Sequence, residues 1–505
     1  MKRKYILSLL LLTVSVVSGA TGFEELRALG RSKVVILPEN TVIECISVSD
    51  YRSENLEINP NTKWNKVDVG ENCRTAYVES EDGKYGLRLK FKNISDCRLV
   101  CGQKIKLDLS GCTLLKENDP ERYTVSGLSS GRIKVVEESV PVPRKIKSVS
   151  ELVDNDVYTQ VIIKDLEISS KSGSYCNINE KCTLPSPKNT YSKGENTRLI
   201  PAMDGWATLF LSSDGCPIYM LVNSRCPWRR DDLRVKTGVG PIRGIIVHTD
   251  LPRFGGNIGK YAIRPLFKSD LILSYNPFSF YEILADWNWD HNYYDALNLK
   301  NRGEIRCLRT NKFVPADSIL PDVGSGELYS ESGDMMSLFE EYNSRVTMDG
   351  RGNIPTGGRD KAALCLSSSS YVWYGANGPL GIVAKTKPNG ITGRLVIVTY
   401  SLTVRMPDET KPINFPKQWK IQYSNNGSDW KDSLSEPSTI CPLFYRVGEI
   451  SLDAAMGYAE HYAIIPSECL SEEELYVRLL PISAKPSSNS AFQLCLGSFT
   501  IRVLK

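Results

Sequence analysis

Apolar and polar residues alternate in short runs along most of the chain, and Gly, Asn, Asp and Ser separate the runs. A period of two is the mark of β-strands, whose successive side chains face opposite sides of a sheet. In the first part of the chain the pattern predicts strands over residues 34–37, 41–48, 85–91, 104–109 and 132–136. The alternating prolines Pro141 and Pro143 cannot donate ladder hydrogen bonds, so a linker is expected there. A second set of strands follows over 157–168, 207–211, 217–222, 240–247 and 261–263, closing near Asp270. The stretch 171–196 is rich in Ser, Asn, Lys and Pro and reads as a long surface loop. Beyond Phe280 the strands lengthen, over 394–404, 419–424 and 492–504, and Asn426-Gly427 suits a two-residue type I′ hairpin. Helix signals are few: residues 23–29, with Thr21 as N-cap and Gly30 as stop, and a single turn opened by Ser471.

The pattern therefore predicts an all-β protein. Two barrel-like or sandwich-like modules cover 21–139 and 150–274, the linker spans 140–149, and a jelly-roll-like β-sandwich fills 275–505. Residues 1–20 stand apart. Lys2, Arg3 and Lys4 precede an apolar run that ends in Ser18-Gly19-Ala20, which reads as a secretory signal peptide, with a mature chain starting near Thr21. Export to the periplasm or beyond, without an integral membrane segment in the mature chain, is expected.

Composition adds little about chemistry. The formal charge is +4 over 505 residues, and it is uneven: −1 over 21–140, +6 over 141–280 and −4 beyond. A polyanion site would belong in the middle third. Fourteen cysteines in an exported chain predict disulfides, with Cys97/Cys101, Cys176/Cys182 and Cys216/Cys226 as local pairs. The three histidines, His248, His291 and His461, are scattered and none sits near a cysteine pair, so neither a metal nor a cofactor is expected.

The residues Phe23 to Leu29, Ile36, Pro38-Glu39-Asn40, Val42-Ile43-Glu44, Val48-Ser49-Asp50 and Gly102 to Gly111 resemble a family of Bacteroidota exported proteins. Those proteins carry a domain of unknown function made of tandem OB-fold-like modules. Gly240 to Ile245, Tyr261 to Pro265 and Asp270 look like that family's closing hairpin. The resemblance covers about residues 23 to 273 and implies two OB-fold-like β-barrels. It implies no activity. Members are usually lipoproteins with a cysteine at the first mature position; Thr21 stands there, so an unanchored protein is expected.

Two constellations point to ligands. Trp287, Trp289, His291 and Tyr293 lie among Asp286, Asp290 and Asp295, and Tyr371 and Trp373 form a second aromatic group. Aromatic faces beside carboxylates suit sugar rings, which stack on the ring and donate hydroxyl protons to the acid. Alternation also fits Trp287 and Trp289 to the core face of a strand. In the second module Arg225, Trp228, Arg229, Arg230 and Arg234 combine cations with an aromatic, the ingredients of single-strand nucleic-acid or other polyanion binding. No catalytic motif occurs. Asp317-Ser318-Ile319 and Asp432-Ser433-Leu434 resemble Bacteroidota O-glycosylation acceptors, and residues 349–353 offer oxygens for a structural Ca²⁺ but read first as a turn. The expectation is a non-catalytic exported binding protein for glycan or another extracellular polymer. Nucleic-acid binding by the second module is the first alternative, and a structural or adhesion role in the envelope is the second.

Overall fold

The computed structural model describes residues 21–30, 33–57, 61–63, 66–67, 70–169, 183–185, 197–199, 206–223, 226, 228, 238–249, 259–274, 279–288, 314–316, 320–321, 323–331, 336–341, 360–365, 374–375, 378–405, 418–435, 449–451, 459–482 and 493–505. The expected signal peptide lies outside them. The protein is all-β, with strands in several sheets and two short α-helices among the described residues.

In the first module the successive barrel strands are Val42–Ser47, Thr75–Glu79 and Gly86–Phe91, and the fifth is Arg122–Leu128. The fourth is broken. Lys104–Asp108 pairs with the first strand and Thr113–Glu117 pairs with the fifth, with the turn at 109–112 between them. The third strand runs parallel to the fifth. That order, one-two-three-five-four, is the Greek-key path of an OB barrel. The second module repeats it with Gln160–Ile168, Trp206–Ser212, Ile218–Val222, Gly240–Val247 and Ala262–Arg264. Here the circle closes, because Gln160–Ile168 pairs with both Trp206–Ser212 and Gly240–Val247, and the third and fifth strands are again parallel.

The third module is two facing sheets. In one, the last strand Gln493–Leu504 lies between Tyr281–Asn288 on one side and Leu395–Arg405 on the other. In the other, Leu475–Pro481 lies between Ile382–Thr386 and Gln418–Ser424. Trp287, Val396, Phe499 and Ile501 from the first sheet and Ala384, Trp419, Ile421 and Val477 from the second belong to one buried core.

A lone barrel strand should bury alternate residues. One strand in each barrel breaks this rule: Thr75–Glu79, the second strand of the first barrel, and Ile218–Val222, the third of the second, are buried at every position. Their outer faces are covered by the next module along the chain. On the first barrel, Tyr158 from the second module packs on Tyr77 in a tilted arrangement with ring centroids 5.3 Å apart, and the Gln160 N–H donates to Glu79 Oε2 at 2.9 Å. Asn55 ties the two modules further. Its Nδ2 donates to the carbonyls of Leu221 and Pro265, at 3.2 and 2.6 Å, and its Oδ1 accepts from the Asn223 N–H at 2.7 Å. On the second barrel, the Tyr219 hydroxyl donates to the Glu460 carbonyl at 2.7 Å, and Glu460 Oε2 accepts from the Leu209 N–H at 3.1 Å. Arg502 Nη2 reaches back from the sandwich to the Ser169 carbonyl at 2.7 Å. The three modules are thus stacked face to wall in chain order.

Several expectations change. The expected linker, 140–149, is held to both barrels: the Val140 N–H donates to the Gly102 carbonyl, Lys145 Nζ donates to the Gly83 carbonyl and the Thr159 hydroxyl, and Ile146–Lys147 adds a parallel strand to the second barrel. Of the stretch 171–196, expected as a surface loop, Thr183–Pro185 is described and pairs with Thr197–Leu199. The helix Phe23–Leu29 starts from Gly22, whose N–H donates to the Glu25 carboxylate, in place of a Thr21 cap. Ser471 ends a 3-10 turn, Ser467–Ser471, where it was expected to open one. The hairpin after Gln418–Ser424 is not a two-residue type I′ turn. Ladder pairing resumes only at Lys431, because the Asn426 side chain accepts the N–H groups of Ser428 and Asp429 and organises a longer loop.

None of Cys45, Cys73, Cys97, Cys101, Cys112, Cys216, Cys226 and Cys469 is in a disulfide. Cys97 Sγ donates to the Thr75 carbonyl and Cys101 Sγ accepts from Gln160 Nε2, so the expected Cys97/Cys101 staple is absent. Cys45, Cys97, Cys112, Cys216 and Cys226 instead fill barrel interiors as small apolar side chains. Cys176 and Cys182 lie outside the described residues.

Candidate functional site

The strands of the sandwich decide where its aromatic segments leave. Tyr281–Asn288 runs antiparallel to the last strand, with Tyr281 opposite Leu504 and Asn288 opposite Ser498. Asp360–Cys365 pairs with the same strand, with Cys365 opposite Cys495. Leu395–Arg405 ends with Arg405 opposite Gln493. All three strands therefore point their C-terminal ends to the edge where the last strand begins. The chain that continues from Asn288 carries Trp289, His291 and Tyr293, and the chain that continues from Cys365 carries Tyr371 and Trp373. Those five residues lie outside the described ones. Tyr374–Gly375, directly after Trp373, pairs with Gly378–Pro379 in a tight hairpin.

Trp287 is not part of this edge. It is 1% exposed and packs edge-on against Phe499 at 6.3 Å between centroids, so it serves the core. Asp286 beside it is also buried and accepts a hydrogen bond from the Thr500 hydroxyl at 2.6 Å.

The described residues of the second barrel offer little to a polyanion. Trp228 is buried, and its indole N–H donates to the Leu266 carbonyl at 3.2 Å, so it is not a stacking platform. Arg225, Arg229, Arg230 and Arg234 lie outside the described residues. Two further cations of this module are paired: Arg243 with Asp270 at 2.6 Å, and Lys260 with Asp154 at 2.9 Å. The second and third strands, which OB folds use to hold oligonucleotides and oligosaccharides, face the sandwich. Ser433, the centre of one expected glycosylation tripeptide, is 5% exposed, which withdraws it from modification. Ser318 and residues 349–353 lie outside the described residues.

Two buried titratable groups, Glu79 and His461, stand next to contacts between modules. Burial pushes the Glu79 carboxyl up to about 7, with Lys145 and the Gln160 N–H working against the shift. Glu79 Oε1 has no hydrogen-bond partner among the described residues. His461, tilted against the Tyr400 ring at 5.6 Å between centroids, is held down to about 3 by burial and stays neutral near pH 7. His248 Nδ1 lies 2.9 Å from the Lys260 carbonyl. Arg88 Nη1 lies 3.2 Å from Glu57 Oε2, behind the hairpin that joins the fourth and fifth strands of the first barrel.

No family model matches the chain, and no curated protein matches it. Among solved structures, SGBP-B from a complex xyloglucan utilization locus in Bacteroides uniformis covers 94% of this chain and 99% of its own at 9% identity and a TM-score of 0.23. The CBM22-1 xylan-binding domain of Paenibacillus barcinonensis Xyn10C covers 39% and 98% at 10% identity and a TM-score of 0.21. The CBM22-1-GH10 modules of Clostridium thermocellum xylanase 10B cover 28% and 24% at 11% identity and a TM-score of 0.13. Scores this low carry no weight for fold or ligand. No described helix is long and apolar enough to cross a membrane.

Proposed function

We propose that the chain is an exported, non-catalytic binding protein that takes a glycan at the end of its β-sandwich. One observation carries the reading. Asn288 and Cys365 end their strands opposite Ser498 and Cys495, three residues apart on the last strand, and the two aromatic-rich segments follow them in the sequence. Trp289, His291 and Tyr293 from one and Tyr371 and Trp373 from the other then supply stacking faces, with Asp290 and Asp295 as hydroxyl acceptors. The barrels behind the sandwich act as a rigid stalk.

Affinity electrophoresis of the full chain in gels carrying neutral plant, host or bacterial polysaccharides tests this. Retardation by at least one polysaccharide is expected, with no release of reducing sugar. Trp289→Ala and Trp373→Ala should each weaken it by about tenfold or more, the loss of an aromatic stacking face. Normal migration through every gel, or retardation indifferent to both substitutions, overturns the proposal.

A further inference from the structure

The first barrel has an open polar cleft of about 570 Å³, walled by Lys33, Lys116, Glu117, Asn118 and Arg122. It is built by the ladder. Glu117 and Arg122 are opposed across the hairpin between the fourth and fifth strands, Lys116 stands opposite Tyr123, and the Lys33 carbonyl accepts the Lys116 N–H at 3.0 Å. Backbone pairing therefore fixes the position of every cation.

Three cations and one carboxylate line the space, for a net charge of +2. Arg122 is anchored: Nη2 donates to Glu117 Oε1 at 2.8 Å and Nη1 to the Pro120 carbonyl at 3.0 Å, and it is only 12% exposed. A guanidinium has five donors, so donors remain for a ligand. Lys116 is held by Glu121 at 2.7 Å and lies over the Tyr123 ring. Lys33 is exposed and has no ion pair among the described residues.

We propose that this cleft binds a carboxylate-bearing sugar, the uronate unit of an acidic oligosaccharide. The volume falls in the range of small-ligand sites. The planar guanidinium fork matches a carboxylate, and Lys33 supplies a charge that no described acidic group answers. Asn118 both donates and accepts, and the Glu117 carboxylate accepts, as sugar hydroxyls require. Glu117 opposes ligands of dense negative charge, and no aromatic face lines the cleft to stack a base, so a nucleic acid fits it poorly. The site is on the opposite end of the chain from the aromatic edge and does not depend on it.

Titration calorimetry of the full chain with tetragalacturonate and with a glucuronate tetramer, each beside its methyl ester, tests the assignment. The acid form of at least one should bind, its uncharged ester should not, and rising salt should weaken binding. Lys33→Glu, at an exposed position that leaves the circular dichroism unchanged, should weaken it about tenfold or more by reversing a charge at the ligand. Trp289→Ala and Trp373→Ala should leave it intact, which separates this site from the sandwich. Silence toward both acids, equal binding of acid and ester, indifference to Lys33→Glu, or tighter binding of oligothymidylate than of either uronate overturns it.

Discussion

A single carboxyl sets much of the pH response expected here. Folded Glu79 holds its proton up to about 7, whereas an unfolded glutamate releases it near 4.5. The native state therefore binds more protons than the unfolded chain between those values, and its stability falls as pH rises through that window. The loss amounts to roughly 3 kcal/mol once the group is fully ionised. Glu79→Gln should flatten the slope of Tm against pH between 5 and 8, and a slope unchanged from the parent would refute the assignment. His461 acts in the opposite sense. Its folded value of about 3 lies below the ordinary 6.5, so it adds stability as pH rises from 3 towards 6.5. Acid unfolding of His461→Phe should then begin at lower pH. Burial also pushes the thiols of Cys97 and Cys469 up to about 12. Iodoacetamide at pH 8 should label both only as fast as the protein unfolds, since the thiolate is the reactive form. At this scale the sequence was half legible. Trp287 shows why: alternation puts it on one face of a strand, and only the sheet that packs against that face decides whether it is core or surface.

Strands with a clean period were readable as elements. Gly240–Val247 was located to the residue, and the helix Phe23–Leu29 was bounded by its own Gly30. Thr75–Glu79, Thr113–Glu117 and Arg122–Leu128 were missed, and the cause is physical. The first has no polar face because another module covers it, and the others carry Lys116, Glu117 and Arg122 into a cleft. The elements nearest the candidate site of the first barrel are thus the ones whose patterns it disturbs. Gly86 is informative in the same way. A Cβ there would lie 2.4 Å from the Tyr158 carbonyl carbon and 2.5 Å from the Val157 oxygen, both backbone atoms of the next module. Gly86→Ala should therefore lower stability by about 2 kcal/mol or more, as overpacking does, and chemical denaturation reads it directly. Trp287→Ala should cost about 3 to 5 kcal/mol and damage the sandwich core without addressing the ligand.

For the whole molecule, the class and the tandem character of the modules were readable, but how the modules meet was not. Nothing in the spacing of Asn55, Tyr158, Tyr219 or Glu460 announces that they lock one module to the next. Their hydrogen bonds and packing predict one cooperative unfolding transition for the three modules. Asn55→Ala removes two donors and an acceptor at a buried contact, at a cost of about 3 kcal/mol. Calorimetry should then show the single transition of the parent split or shift downward; a variant indistinguishable from the parent would mean the barrels unfold independently.

The covered barrel walls also bear on how the chain is made. A polypeptide that emerges N-terminus first completes its first barrel before the second exists, so the face around Tyr77 stays bare until Tyr158 arrives, and the face around Tyr219 waits for Glu460 and Tyr462. Each module is finished only by its successor. Premature termination after either barrel would leave a sticky β-wall with no cover, a template for association with another copy. Synthesis that runs to the end of the sandwich supplies the lid for both.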